Sequence, residues 1–374
     1  MANPNTLSQN APVSNDAGAG GSVPFLAGSN HYREQFFQDT VVIGANTQEF
    51  VHNITPGGFL RGVRLLAVCT GGTVATAATA DNPWNLFSSI TLENIDGSPI
   101  IYPMGGFAHF TIQKYFYPWN GDPALRSAGF GNSNYSKSIN PVCELFIRAE
   151  IRDTAGVLAN TDARAQYRIR YTINTATQIA TGAYTVFPTC TITGIAESWA
   201  QPDSVDLHKN SIVQTPDGLC LAAITRHQTL TLNNANADNT LQLSNTGSEI
   251  RGLELIVRDS NNVRQDYLTT PVRIRLDNRS MEVDTVESIF HAMGDFYDFL
   301  QNGTSTRETG VYVWSRFRRP GDLLGQYWLP TSNATYLMIE TSTLGSGVNL
   351  PGTVEVITHE VVALSAVPAE LEGI

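Results

Sequence analysis

The chain has 374 residues, of which 42% are hydrophobic and only 15% charged, with a net charge of −11. That length suffices for two domains of ordinary size, and the charged share is well below the roughly 25% of an average soluble protein. An acidic balance with a pI near 5.1 excludes wholesale nucleic-acid binding, which needs a basic face.

With so little charge to solvate the surface, a large part of it is expected to meet other protein. Lys114, Lys137 and Lys209 are the lysines; every other cation is an arginine, whose planar fork tolerates interfaces better than an ammonium does. A GC-rich genome would leave the same mark. FRRPG at 317–321 is the densest basic cluster, and reads as a solvated loop or a subunit contact.

The first thirty or so residues are rich in Asn, Ser, Ala, Gly and Pro. They lack the apolar groups for a core and are expected to form an arm over 1–35. No basic start precedes an apolar run, so no signal peptide is expected, and no apolar stretch approaches the roughly 20 residues of a membrane helix. Synthesis in the cytoplasm fits. From Phe36 onward come short β-branched and aromatic runs split by Gly, Pro, Asn and Asp: FVHNI (50–54), VRLLAVC (63–69), SSITLENI (88–95), CELFIRAEI (143–151), AQYRIRYTI (165–173) and TCTITGIAESW (189–199). Tyr167, Ile169, Tyr171 and Ile173 alternate with Arg168, Arg170 and Thr172, which predicts an antiparallel strand with one buried face. The pattern breaks at WAQPDSVD (199–206) and starts again with HQTLTLN (227–233), IRGLELIVR (250–258), VRIRLDN (272–278), GVYVWSRF (310–317), TYLMIET (335–341) and TVEVITHEVVAL (353–364). Two β domains are therefore expected, over 36–203 and 204–374.

The halves resemble each other in order. RGVRLL (61–66) pairs with RGLELI (251–256), and ITLEN (90–94) with IRLDN (274–278). MGGFAHFTIQKYF (104–116) pairs with MGDFYDFLQN (293–302), and TITGIAESWAQP (191–202) with EVITHEVVALSAVP (355–368). The first three pairs lie 190, 184 and 189 residues apart, and longer first-half connections at 70–83, 118–140 and 174–188 account for the drift. Four pairs in register predict an internal duplication. The Met-Gly stretches are expected to be short helices against a sheet end.

A duplicated antiparallel domain of about eight strands with an inserted helix suggests an all-β fold of two tandem eight-stranded antiparallel jelly rolls, with short helices and an extended N-terminal arm. This architecture resembles the double jelly-roll major capsid proteins of tailless, membrane-containing icosahedral viruses, tectivirus-like bacteriophages in particular. The resemblance spans about residues 36–368 and rests on repeat, size and architecture. It implies a homotrimeric, pseudo-hexagonal capsomer in an icosahedral shell, with neighbouring capsomers, penton or vertex proteins and minor capsid proteins as partners. It further implies a virion location, an arm in reach of an internal membrane, and no specific nucleic acid. A two-domain carbohydrate-binding jelly-roll protein, such as a phage spike or lectin, is the alternative.

No catalytic, cofactor-binding or metal residue is assigned. Cys69, Cys143, Cys190 and Cys220 have no C-x-x-C spacing and read as reduced, mostly core residues. The seven histidines form no H-x-H or H-E-x-x-H, so a bicupin lacks its ligands; His359 beside Glu360 is expected to cap a sheet end. LGSGV (344–348) is not a nucleophile elbow, and GAGG (18–21) lacks the G-K-[ST] of a phosphate loop. Asp295 with Asp298, and Glu282 with Asp284, read as solvent-facing carboxylates rather than a glycosidase pair. NADN (236–239) and DSNN (259–262) read as acidic turns. The aromatic clusters FTIQKYFYPW (110–119) and YVWSRF (312–317) are expected to pack in cores or interfaces, although exposed rings there would suit a sugar.

Overall fold

The computed structural model describes residues 25–74, 79, 81–117, 140–202, 215–216, 221–233, 239–243, 247–268, 272–277, 279–285, 308–315, 328–331, 333–341 and 349–363. Three short α-helices occur among them, α1 (Phe25–Gly28), α2 (Gly106–Phe116) and α3 (Ala176–Ile179); the remaining regular structure is almost wholly strand.

In the first half β1 (His31–Val42), β11 (Thr189–Trp199), β3 (Gly58–Thr70) and β7 (Val142–Arg148) form one sheet in that order, with β8 (Leu158–Asn160) also on β3. Across the core β2 (Gln48–Asn53), β9 (Arg168–Ile173), β5 (Phe87–Glu93) and β6 (Pro99–Met104) follow in order. A small ribbon joins β4 (Thr73–Val74) to β10 (Tyr184–Val186). The second half repeats the plan. Its β12 (Leu221–Leu232), β20 (Gly352–Ala363), β14 (Glu249–Arg258) and β17 (Val311–Ser315) match the first sheet, with β18 (Leu329–Pro330) on β14 as β8 is on β3. Its β13 (Asn239–Leu243), β19 (Leu337–Thr341), β15 (Val272–Leu276) and β16 (Arg279–Thr285) match the second. In each half the first strand pairs antiparallel with the last, as a jelly roll requires. The short additions bring the described strands to eleven and nine rather than eight per half.

The sequence repeats fall on matching strands. RGVRLL lies in β3 and RGLELI in β14, ITLE in β5 and IRL in β15, and TITGIAESW in β11 opposite EVITHEVVA in β20. The fourth pair is half visible: MGGFAHF runs from β6 into α2, while 293–302 lies outside the described residues. The Arg-Gly step has a common cause. Against β11 the register passes from Leu60 to Gly62, skipping Arg61, and against β20 it passes from Ile250 to Gly252, skipping Arg251. Both arginines are the extra residue of a β-bulge. The glycine after each allows a close approach. A Cβ at Gly62 would meet the Ile147 carbonyl and the Arg148 backbone, and one at Gly252 the Phe116 ring. Each bulged guanidinium lies over an indole, Arg61 over Trp199 at 5.2 Å and Arg251 over Trp328 at 5.8 Å.

Alternation places the cores. Val63, Leu65 and Ala67 of β3 face Ile90, Leu92, Ile169 and Tyr171 in one buried cluster; Leu253, Leu255 and Val257 of β14 join Val272, Ile274, Trp314 and Ile339 in another. The polar side of β9 behaves as its spacing predicts, Arg170 donating to Glu93 at 2.7 Å and to Glu49. Cys69, Cys143 and Cys190 are buried free thiols; the Cys190 thiol beside it and burial push Cys69 up in pKa, and burial pushes Cys143 up. Strand β1 begins at His31, and residues 31–35 are already hydrogen-bonded to β11.

Candidate functional site: the junction between the halves

Two devices tie the halves together. Strand β6 of the first half pairs in parallel with β12 of the second through Ile101 and Thr225, so a nine-stranded sheet runs across both. Helix α2 fills the seam beside it. Its eleven residues are all buried, Lys114 included at 2% exposure, which no amphipathic surface helix would show.

The inner side of α2 belongs to the first core, where Phe107, Phe110 and Tyr115 cluster with Leu92 and Ile147. Its other side closes the outer face of the second half's first sheet. Ile256, Ile357, Val311 and Val313 join the same cluster from there, and Phe116 packs on His359 with centroids 3.9 Å apart. The Phe107 ring lies under Arg258 at 5.6 Å and Arg264 at 4.0 Å. Ion pairs bind the rim: Arg258 and Arg264 each reach Asp81 at 2.6 Å, Arg258 also holds Glu355 at 2.9 Å, and Lys114 holds Glu308 at 3.1 Å. The Glu308 amide donates to the Tyr115 hydroxyl at 3.0 Å.

Glu254 sits under α2 with no exposure and forms no ion pair among the described residues. Burial pushes its carboxyl up to about 8, against a smaller pull from the Thr111 hydroxyl, and Glu355 adds to the rise. It is therefore protonated at neutral pH. His359, in the same layer, is driven down to about 3 by burial and by Arg251, and stays neutral.

The first half presents the same face differently. Glu197 accepts from Arg64 at 2.7 Å and Arg33 at 2.9 Å, and Arg64 also pairs with Glu144. Glu150 is held by Arg61 at 2.7 Å, Arg148 at 2.6 Å and the Trp199 indole at 3.0 Å. For both carboxyls burial alone would raise the pKa, but the arginines outweigh it and hold them below the usual range.

The residues weighed for chemistry have structural roles where they are described. His359 does not cap a sheet end; it lies inside β20, at the junction. Glu360 accepts from Arg226 at 3.0 Å, Ser248 at 2.6 Å and Thr358 at 2.7 Å. In DSNN the Asp259 carboxylate closes its own turn through the Asn261 and Val263 amides, both at 2.9 Å, and accepts from Asn349 at 3.0 Å. Phe110, Tyr115, Phe116, Tyr312 and Trp314 are all buried. Among the described residues no group of three His, Cys, Asp or Glu could hold a metal ion, and no helix is long and apolar enough to cross a membrane. Trp119, Cys220, Asp295, Asp298, GAGG, FRRPG, LGSGV and most of NADN lie outside the described residues, as do the side chains of Glu282 and Asp284. Sequence reading missed Arg258, Arg264 and Asp81. Their signal is an apolar strand ending in an arginine, which only the fold brings to Asp81.

No family model matches the chain, and no curated protein matches it in sequence. Solved structures do. The major capsid protein STIV MCP aligns at TM-score 0.60 and 15% identity, over 89% of this chain and 97% of its own. The atomic structure of Sulfolobus Turreted Icosahedral Virus aligns at 0.62 and 14%, over 91% and 95%. The PBCV-1 virus capsid aligns at 0.62 and 12%, over 89% and 94%. At these identities the likeness is one of fold, and the fold of this chain is the double jelly roll.

Proposed function

We propose that the protein is a viral major capsid protein whose activity is to fold, trimerise and tile an icosahedral shell. One observation carries this reading: the chain holds the same strand order twice, fused into one body by α2 and the β6–β12 pairing. Capsid proteins of matching architecture align along nearly their whole length. Three such chains supply six similar wedges, which is what a pseudo-hexagonal capsomer needs, and the low charge suits broad contacts with neighbours. Two jelly rolls over 36–203 and 204–374 make up the wedge pair in this reading.

Its finer parts rest on the sequence resemblance: a tectivirus-like bacteriophage, assembly in the host cytoplasm, contacts with penton and minor capsid proteins, an arm near an internal membrane, and no catalytic activity. A carbohydrate-binding role is less favoured. It calls for exposed Trp or Tyr, and the large exposed hydrophobics among the described residues are Leu, Val, Ile and Phe.

Light scattering with negative-stain imaging tests the proposal. The expected species is a trimer of the 40.7 kDa chain, about three times that mass, with a hexagonal outline. A chain that stays monomeric at high concentration ends the capsid reading.

A further inference from the structure

Two of the buried thiols stand opposite each other across a strand pair. Cys69 of β3 and Cys190 of β11 are register partners in an antiparallel ladder, both in the first core, and the Cys190 thiol lies within hydrogen-bonding reach of Cys69. The main-chain bonds around them fix the kind of pair. The Cys69 amide donates to the Pro141 carbonyl at 2.9 Å, on the β7 side and away from β11. On the other flank the Ile43 amide donates to the Pro188 carbonyl at 3.0 Å, so two residues further on the Cys190 main chain turns to Val41 of β1 and away from β3. Cys69 and Cys190 are therefore a non-hydrogen-bonded pair, in which Cα atoms approach to about 4.5 Å and side chains come closest. A disulfide spans Cα separations of roughly 4.4–6.8 Å.

The third thiol is placed differently. Cys143 of β7 faces Ala67, so it meets Cys69 only on the diagonal, at roughly 7–8 Å, and β3 lies between it and Cys190. Seven residues after the shared bulge glycine stands Cys69 in the first half and Asp259 in the second, so the second half has no thiol at the matching position.

We propose that Cys69 and Cys190 are a latent disulfide, an oxidation site that clamps the last strand of the first half to β3 when the chain passes from a reducing to an oxidising surrounding. The pair is independent of any capsid role. It lies one step from the end of its ladder, where Thr70 faces Thr189, so fraying of that end admits a small reagent. One thiol, as its thiolate, attacks a low-molecular-weight disulfide RSSR; a mixed disulfide forms, the reagent's S–S bond breaks, and one RSH leaves with the proton. The second thiolate displaces the other RSH from the mixed disulfide. Two thiols and RSSR become one protein disulfide and two RSH, with two electrons passing to the reagent. In the closed strand pair the neighbouring thiol and burial keep Cys69 protonated, which slows exchange until the end opens. The bond closes a long loop, from 69 to 190, and so restricts the unfolded chain strongly.

The test refolds the whole chain from urea in a buffer of reduced and oxidised glutathione, blocks free thiols with iodoacetamide, and maps tryptic fragments by mass. Trypsin places Cys69, Cys143, Cys190 and Cys220 in separate fragments, 65–114, 138–148, 171–209 and 210–226. The expected product is 65–114 joined to 171–209, lighter by two hydrogens than the free fragments together, with Cys143 and Cys220 alkylated. The melting midpoint is expected to rise by about 5–10 °C on oxidation in wild type and in Cys143→Ala, and to stay unchanged in Cys69→Ala/Cys190→Ala. Mapping of the wild type decides the bond even where a variant folds poorly. Refolded chains in which Cys69 and Cys190 are both alkylated, or are bridged to Cys143 or Cys220, overturn the proposal. A Cys69–Cys190 bridge that leaves the wild-type midpoint unchanged or lowers it overturns the clamp.

Discussion

Strands β3 and β14 hold the same place in their halves, carry the same bulge and read Arg-Gly at the same step, yet meet opposite surroundings. The polar side of β3 shows Arg64 in a cage of carboxylates at the edge of solvent. The corresponding side of β14 shows Glu254, neutral and sealed under a helix. The two strands share the part that sets backbone geometry, because a bulge and its glycine constrain main-chain atoms. They differ in the part that sets what the face touches.

The comparison breaks most severely at the shared glycines. Gly62→Val drives a side chain into the backbone of β7, which cannot step aside, and is expected to destabilise the chain by about 4 kcal/mol or to prevent folding. Gly252→Val meets chiefly the Phe116 ring and is expected to have a smaller effect of ~2 kcal/mol, both read by urea denaturation. Equal losses would show that the bulge alone, and not its neighbour, sets the requirement.

Next come the apolar residues of the same faces. Ile256→Ala removes a side chain with no exposure, and is expected to lose about 3 kcal/mol; Leu66→Ala is expected to lose under ~1 kcal/mol in dissociated chains.

The charged residues separate the faces by pH. Glu254 has a folded pKa of about 8, raised above its unfolded value, so its contribution is intact below about pH 4.5 and is lost as pH rises toward 8. Glu254→Gln is therefore expected to be near neutral at pH 4 and to stabilise by roughly 4 kcal/mol at pH 8. Glu197 and Glu150 have depressed folded values, so their contribution is present above the unfolded pKa and is lost as pH falls through the folded one. Melts of Glu197→Gln against wild type should converge in acid, where those of Glu254→Gln converge as well but diverge in base. A small effect is expected at the bulged arginines: Arg61→Lys and Arg251→Lys each lose planar contact with an indole, worth about 1 kcal/mol. A markedly larger loss at Arg61 would reflect its bonds to Glu150.

Much of the fold is legible in the residues. The alternation of Tyr167, Ile169, Tyr171 and Ile173 with arginines identifies β9, since one face is wet. The doubled Arg-Gly marks a bulge that the structure repeats. Strand β14 is less readable, because nine of its ten residues are buried, and period two carries no sign of which face is the core. Helix α2 hides for the same reason. Buried all round, it shows no polar stripe to reveal that it has two partners rather than a sheet end. The junction's ion pairs join Asp81 to Arg258 and, 183 residues away, to Arg264; spacing cannot foretell such a meeting, which depends on where two jelly rolls come to rest.

The pairing of first strand with last has a consequence in time. His31 lies opposite Trp199 and Leu221 opposite Ala363, so neither half can close its first sheet until its final strand leaves the ribosome. At roughly 5–20 residues per second, β1 waits on the order of ten to thirty seconds for β11. Meanwhile β3 presents an unpaired edge of the kind that templates aggregation. Helix α2 waits longer, its second side bare until β14, β17 and β20 have been made. Completion of each half thus waits on its last strand, and the seam at α2 waits on the second half.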